Sequence, residues 1–200
     1  EVAAYPEMHP QARSPQADLE AYLAKVRAGA DSAITQFFFN ADAYFHFVDA
    51  TRKLGAEIPV VPGIMPFHNY ARIAQFAARD GIEIPRWVAL KMEGYLDDAA
   101  SIRAFGIEVV ARLCERLVAA GAPGIHFYTL NQSALTLDDG LHRFAAASAF
   151  VVTDIERDGE LARLVEFGVD AICRDALGQP AIVLLAKAFE RGDLVGPAGH

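Results

Sequence analysis

The sequence has few cysteines, a shortage of basic residues and no long apolar run. Cys114 and Cys173, its two cysteines in 200 residues, are too few and too isolated for a disulfide framework or a metal cluster. Lysine and arginine total 18 against 26 acidic residues, so the net charge of −8 gives nucleic-acid binding no electrostatic support. No apolar stretch reaches about 18 residues, so we expect no membrane-spanning segment. A reducing, cytoplasmic compartment is the expected location.

Hydrophobic residues are abundant, at 53% against 22% charged residues, which is typical of a globular protein. Two hundred residues allow one domain with a substantial core, or a large piece of a bigger one. The chain starts at Glu1 and residues 2–5 already have the pattern of a strand. We therefore expect the sequence to begin inside a larger fold.

Predicted strands alternate with predicted amphipathic helices. Strands are expected at residues 2–5, 34–40, 58–65 and 125–130. Helices are expected from Pro15, with Ser14 as N-cap, over residues 42–54, after the N-cap Asn69, and over residues 98–120. This alternation predicts an α/β fold with parallel strands and helical crossovers.

Polar or turn residues follow each predicted strand, among them Tyr5, Gln36, Pro66 and Tyr128. In parallel α/β folds the functional residues lie at the carboxyl ends of the strands. Gln36 has two interpretations, a hydrogen-bonded amide inside the core or an amide at the sheet edge that reaches a ligand. The shared polar endings favour the second interpretation.

Four segments, in this order and spacing, closely resemble the methylenetetrahydrofolate reductase family. They are residues 2–10 (VAAYPEMHP), 34–39 (ITQFFF), 62–66 (PGIMP) and 126–131 (HFYTLN), and residues 84–87 (IPRW) add to the likeness. The resemblance covers about residues 1–135 and implies a flavin-containing (β/α)8 barrel of the TIM-barrel type. It implies reduction of 5,10-methylenetetrahydrofolate to 5-methyltetrahydrofolate with NADH or NADPH as reductant. Residues 1–135 would form the second half of that barrel, so the resemblance predicts a partial barrel.

The resemblance also implies where FAD would bind. The matching positions are Tyr5, His9, Asp18, Ala21, Ala24 and Lys25. Asp18 and Lys25 are seven residues apart and would project from one helix face, where the family binds the adenosine diphosphate portion. Alanines at 21 and 24 replace residues that are often polar or basic, which weakens the expected grip on the diphosphate. Lys25 as a solvated lysine and His9 as a helix cap remain the alternatives.

The positions that match folate contacts are Gln36, Arg72, Phe76 and Gln132. A neutral amide such as Gln36 suits a pterin edge, which offers both donors and acceptors. Gln132 stands where the family often has arginine, and Arg72 stands where glutamine is common. The family's acids near pterin and flavin lie on earlier strands, so we assign no catalytic residue in this chain, and no metal site.

Residues 136–200 do not follow the family, and we expect them to continue or close the same domain. A strand over residues 150–154, a helix over 158–166 and a strand over 168–175 are predicted. This segment weakly resembles the closing strands of a glycerophosphodiester phosphodiesterase barrel. Asp154 and Asp175 are then either metal ligands at strand ends or, as we favour, ordinary loop or cap aspartates.

Three functions remain open at this point. The first is the folate reductase, with activity impaired in these 200 residues. The second is a non-catalytic or recombined half-barrel module, and the third is a metal-dependent phosphodiester hydrolase. A parallel sheet with open edges also predicts a homo-oligomer or a complementing half-barrel, besides a small-molecule folate ligand.

Overall fold

Strands and helices alternate along the chain in a computed structural model that describes residues 1–67, 69–128, 150–155 and 161–167, the last two ranges as backbone strands. The strands are β1 (Val2–Ala4), β2 (Ala33–Thr35), β3 (Val60–Val61), β4 (Gly63–Ile64), β5 (Ile125–Tyr128), β6 (Phe150–Ile155) and β7 (Leu161–Phe167). The helices are α1 (Pro15–Arg27), α2 (Ala41–Lys53), α3 (Tyr70–Asp80), α4 (Arg86–Gly94) and α5 (Ala99–Ala119). Within the described ranges, no helix has the length and hydropathy needed to cross a membrane.

Parallel pairing joins β1, β2 and β3, and also β4, β5 and β6. Between β3 and β4 lies Pro62, which has no N–H to donate to a neighbouring strand. The carbonyl oxygen of Pro62 accepts a 3.0 Å hydrogen bond from the His126 N–H, and that of Pro59 accepts one of 2.9 Å from Ala33. One segment therefore contacts β2 on one side and β5 on the other. The predicted α/β class is confirmed, while a TIM barrel is only partly visible.

Local sequence signals determine where the helices begin. The Ser14 hydroxyl accepts a 3.1 Å hydrogen bond from the Ala17 N–H, with Pro15 in the first turn of α1. The Asn69 side chain accepts one of 3.0 Å from the Arg72 N–H at the start of α3. Both residues are the predicted N-caps, and each satisfies a backbone N–H that has no partner inside its helix.

Apolar side chains of the strands and helices form one core. It includes Phe37, Ile64, Leu117 and Phe127, each exposed by 1% or less. The strand predicted over residues 34–40 is shorter than expected, because β2 ends at Thr35. Phe37 and Phe38, which follow it, are nevertheless buried, and the partly buried Phe39 packs against the same core.

The prediction of a helix over residues 158–166 is wrong. Residues 161–167 form β7, which pairs antiparallel with β6. The pairing of Ile155 with Leu161 leaves five residues between the strands, a length typical of a hairpin connection. Pairing with an adjacent strand has overridden the helical pattern. The strand predicted over 168–175 lies outside the described residues, and the division of the chain at residue 135 stays a prediction.

Candidate functional site

Tyr5, Gln36 and Tyr128 lie at the same edge of the parallel strands. Ala4 is in register with Thr35, and the Gln36 N–H continues this pairing with a 2.8 Å hydrogen bond to the Ala4 carbonyl oxygen. Because β4 and β5 are also parallel, Tyr128 ends β5 at the edge where Ile64 ends β4. This confirms the predicted common edge, which we call the rim.

Helix α3 extends from one part of the rim to another. It starts just after β4, and Asp80, its last residue, contacts Gln36 beyond the end of β2. The Glu83 N–H then donates a 2.9 Å hydrogen bond to the carboxylate of Glu7, in the loop after β1. Eleven residues make a helix of roughly 16 Å, enough to span several strands spaced about 4.8 Å apart. The helix and the residues that directly follow it therefore link the ends of β4, β2 and β1.

Arg72, Phe76 and Asp80 occupy one stripe of α3, because they are spaced four residues apart. The half-buried Phe76 ring has the Arg72 guanidinium 5.6 Å from its centroid and the Arg79 guanidinium 5.2 Å from it. The contact between Asp80 and Gln36 brings this stripe to the rim. The structure thus places three of the predicted folate positions, Gln36, Arg72 and Phe76, along one helix and the strand end that it meets.

Both polar atoms of the Gln36 side chain have protein partners. The Phe37 N–H donates to Gln36 Oε1 at 3.0 Å, and Gln36 Nε2 donates to Asp80 Oδ2 at 3.4 Å. Arg79 donates to both oxygens of the Asp80 carboxylate, to Oδ1 at 2.6 Å and to Oδ2 at 2.7 Å, so Oδ2 accepts from both Arg79 and Gln36. Since an amide has two donors and two acceptor lone pairs, one of each has no protein partner among the described residues. Gln36 is therefore hydrogen-bonded and half-buried at the rim at the same time.

Tyr5 and His9 form an aromatic pair beside Asp18. Their ring centroids are 4.4 Å apart at an interplanar angle of 76°. The His9 N–H donates a 2.8 Å hydrogen bond to Asp18, and His9 Nδ1 accepts one of 3.0 Å from the Gln11 N–H. Burial raises the pKa of the Tyr5 hydroxyl, and the Asp80 and Asp18 carboxylates raise it further. Tyr5 therefore stays protonated and can donate a hydrogen bond.

Lys25 is the predicted cofactor residue that the structure places away from this pair. Its Nζ donates a 2.8 Å hydrogen bond to the Ala3 carbonyl oxygen. Asp18 lies seven residues earlier in α1, about 10 Å along the helix axis. Ala21 and Ala24 lie between them, both exposed. Of the three residues expected to cluster, His9 and Asp18 are in contact. Lys25 instead contacts Ala3, and it lies about two helix turns beyond Asp18, past the exposed Ala21 and Ala24.

The shifted pKa values of His126 and Tyr128, the two titratable residues of β5, keep both side chains neutral at physiological pH. Burial lowers the pKa of His126 to about 4. Burial also raises the pKa of Tyr128 to about 12, with smaller contributions from Tyr5 and Glu1. The two rings pack edge to face, with centroids 4.6 Å apart.

Asp80 is the residue at the rim that the sequence interpretation missed. Its four-residue spacing from Phe76 was the available signal.

Gln132 and Asp175 lie outside the described residues, and Asp154 belongs to β6, of which only the backbone is described. Residues 1–67 and 69–128 contain no group of three side chains suited to holding a metal ion.

Comparison with known proteins follows the same segments. The methylenetetrahydrofolate reductase family model matches residues 1–138. The chain is 40% identical over 135 residues to 5,10-methylenetetrahydrofolate reductase from Salmonella typhimurium, and equally to that from Escherichia coli, covering 68% of this chain and 46% of each relative. It therefore spans about half the length of these relatives.

A solved structure of an uncharacterized protein from Clostridium thermocellum, described as binding two copies of 5-methyl-5,6,7,8-tetrahydrofolic acid, matches with a TM-score of 0.45 and 18% identity. It covers 70% of this chain and 52% of that one, a likeness too weak to extend to function. The family model, in contrast, covers more than two thirds of the 200 residues. The chain belongs to the methylenetetrahydrofolate reductase family.

Proposed function

We propose that the rim binds FAD and a folate, and that the chain takes part in reducing 5,10-methylenetetrahydrofolate to 5-methyltetrahydrofolate with NADH or NADPH. The observation that carries this proposal is the contact of Gln36 with α3, the helix that also bears Arg72 and Phe76. Three positions that the family resemblance assigns to folate lie along one helix and one strand end, although Gln36 is 36 residues before Arg72 in the sequence. Family membership supplies the reaction class.

Each of these side chains has a chemical role in folate binding. Phe76 offers an aromatic face against which a planar pterin stacks. The Gln36 amide offers one N–H and one carbonyl lone pair to the polar edge of the ring. Arg72 is exposed and carries a cation for a carboxylate of the folate tail.

Near β1, the aromatic residues Tyr5 and His9 fit FAD better than the α1 residues that would meet its diphosphate. The Tyr5 and His9 rings provide an aromatic contact, and the Tyr5 hydroxyl remains a donor. The exposed alanines of α1 leave room beside the helix but form no hydrogen bonds. Lys25 would bind the diphosphate after its hydrogen bond to the Ala3 carbonyl oxygen breaks. When bound, the flavin supplies hydride transfer between the nicotinamide and the folate.

We further propose that these 200 residues alone turn over slowly. The acids that the family places near pterin and flavin have no counterpart assigned in this chain, and a positioned general acid contributes about 10²–10⁴ in rate. Among the described strands β1 pairs on one side only, with β2, and such an unpaired strand edge favours self-association or a complementing half-barrel. A cytoplasmic location is part of the same proposal, since folates and nicotinamide cofactors are intracellular reactants.

The test starts with the visible spectrum of the purified chain after addition of FAD, followed by titration with 5-methyltetrahydrofolate. We expect bound flavin, folate binding that Gln36→Ala and Phe76→Ala both weaken, and slow reduction of methylenetetrahydrofolate with NADH. Asp49→Asn, an exposed change on α2, is the control. A rate normal for such enzymes would contradict the impairment. If the chain binds neither FAD nor the folate, a non-catalytic module is favoured. Metal-dependent phosphodiesterase activity would favour the hydrolase.

A further inference from the structure

Asp80 is an acidic residue in an unfavourable position for its helix. It is the last residue of α3, and Gly81 follows in the left-handed conformation with φ of 70°. A negative charge in the last turn opposes the helix dipole and is therefore unfavourable there. The Asp80 side chain is also only 16% exposed, so it is largely removed from water. Helix stability therefore does not explain an aspartate at this position, whereas its contacts with Gln36 and Arg79 do.

The Asp80 carboxylate and the Phe37 N–H together fix the orientation of the Gln36 amide. In the observed orientation Nε2 faces the carboxylate and Oε1 faces the N–H. Rotation of the amide by 180° would place Oε1 against a carboxylate and Nε2 against an N–H. Both contacts would then be repulsive, and both hydrogen bonds would be lost. The donor and acceptor left for a ligand are therefore held in one arrangement.

We propose that Asp80 is a positioning residue that orients the Gln36 amide toward the ligand at the rim. Arg79 assists by holding the carboxylate in place through two hydrogen bonds. The inference rests on the proposed function, because Gln36 must face a ligand for its orientation to matter. A ligand with an adjacent acceptor and donor, such as a pterin edge or a carboxamide, uses both free positions of the amide.

A spectroscopic measurement tests the contact without any ligand. In ¹⁵N-labelled protein, the side-chain amide signals of Gln36 are identified by their loss in Gln36→Ala. In Asp80→Asn we expect these signals to move toward the position of a solvated amide, while Asp49→Asn leaves them in place. Unmoved signals in Asp80→Asn, in a protein whose circular dichroism is unchanged, would overturn the proposal.

A double-mutant cycle then tests the role in binding, with 5-methyltetrahydrofolate as the probe and calorimetry as the readout. We expect Asp80→Asn to weaken binding about tenfold in the unmodified chain and to have almost no effect in the Gln36→Ala background. Equal effects in both backgrounds would overturn the proposal, since Asp80 would then act independently of Gln36. If the unmodified chain binds no folate, the proposed function fails, and the amide signals alone decide whether Asp80 fixes Gln36.

Discussion

The hydroxyl of Tyr128 donates a 2.9 Å hydrogen bond to the carbonyl oxygen of Thr35, although β4 lies between their two strands. The ring passes over Gly63, where a Cβ atom would lie 2.7 Å from Tyr128 Cε2. The Thr35 hydroxyl also accepts a 2.8 Å hydrogen bond from the Gly63 N–H. Two oxygens of one threonine thus tie β2 to β4 and β5 just after Pro62 interrupts the strand.

We predict that Gly63→Ala destabilises the protein by about 3 kcal/mol or more. The new Cβ would lie 2.1 Å from the Thr35 carbonyl oxygen, which is backbone and cannot move aside without disturbing β2. Chemical denaturation measures the free energy of unfolding. Gly94→Ala is the control, because a Cβ at the end of α4 has no neighbour within 4 Å and alanine favours a helix. Similar results for the two variants would show that Gly63 is not tightly packed against Thr35.

We predict that Tyr128→Phe costs about 0.5–1.5 kcal/mol of stability. The change keeps the ring over Gly63 and removes only the hydroxyl, which leaves the Thr35 carbonyl oxygen without this donor. Denaturant unfolding of the variant and of the unmodified chain measures the difference. Tyr95→Phe, at the end of α4, provides a matched loss of a hydroxyl. No difference between the two variants would show that the Thr35 contact adds nothing to stability.

The sequence alone was sufficient for features that depend on neighbours in the chain. Ser14 and Asn69 were identifiable as helix caps because their partners lie three residues away. The common position of Tyr5 and Gln36 was also predictable, because parallel strands align their carboxyl ends.

Features that depend on long-range packing could not be predicted in this way. The contact of Gln36 with Asp80 joins residues 44 positions apart, and it depends on the path of α3 along the rim. The bond from Tyr128 to Thr35 spans 93 positions and needs a residue without a side chain between them. The helical pattern over 158–166 failed for the same reason, since pairing with β6 decided the outcome.

We predict that acid weakens the fold partly through His126. Its pKa is about 4 in the folded protein and about 6.5 when unfolded, so between these values the unfolded chain binds the extra proton. This contribution to stability is complete above pH 6.5 and falls by up to roughly 3 kcal/mol as the pH approaches 4. The free energy of unfolding, measured at pH 7.5, 6 and 5, should fall less steeply with decreasing pH in His126→Gln than in the unmodified chain. His46→Gln, on the exposed surface of α2, should keep the full pH dependence.

The last prediction concerns Lys25 and the side of β1 that has no paired strand within the described part of the chain. Val2 donates its N–H to Ser32, and Ala4 accepts from the Gln36 N–H, so both residues face β2. In a parallel ladder the residue between them faces the opposite way, so the Ala3 carbonyl points away from β2. Lys25 covers that carbonyl with its ammonium group. The same cation is therefore both an edge contact and the cation that the family resemblance assigns to the FAD diphosphate.

These two roles separate in Lys25→Ala. We expect the variant to bind FAD more weakly by about 1–2 kcal/mol, roughly a tenfold change in dissociation constant, because a charge-assisted contact to the diphosphate is lost. Stability should change by less than about 1 kcal/mol, since the contact with Ala3 is exposed. Flavin titration and denaturation measure the two quantities, with Lys53→Ala in the last turn of α2 as the control. An unchanged dissociation constant would leave Lys25 as an edge residue alone, and the diphosphate would have to be bound elsewhere.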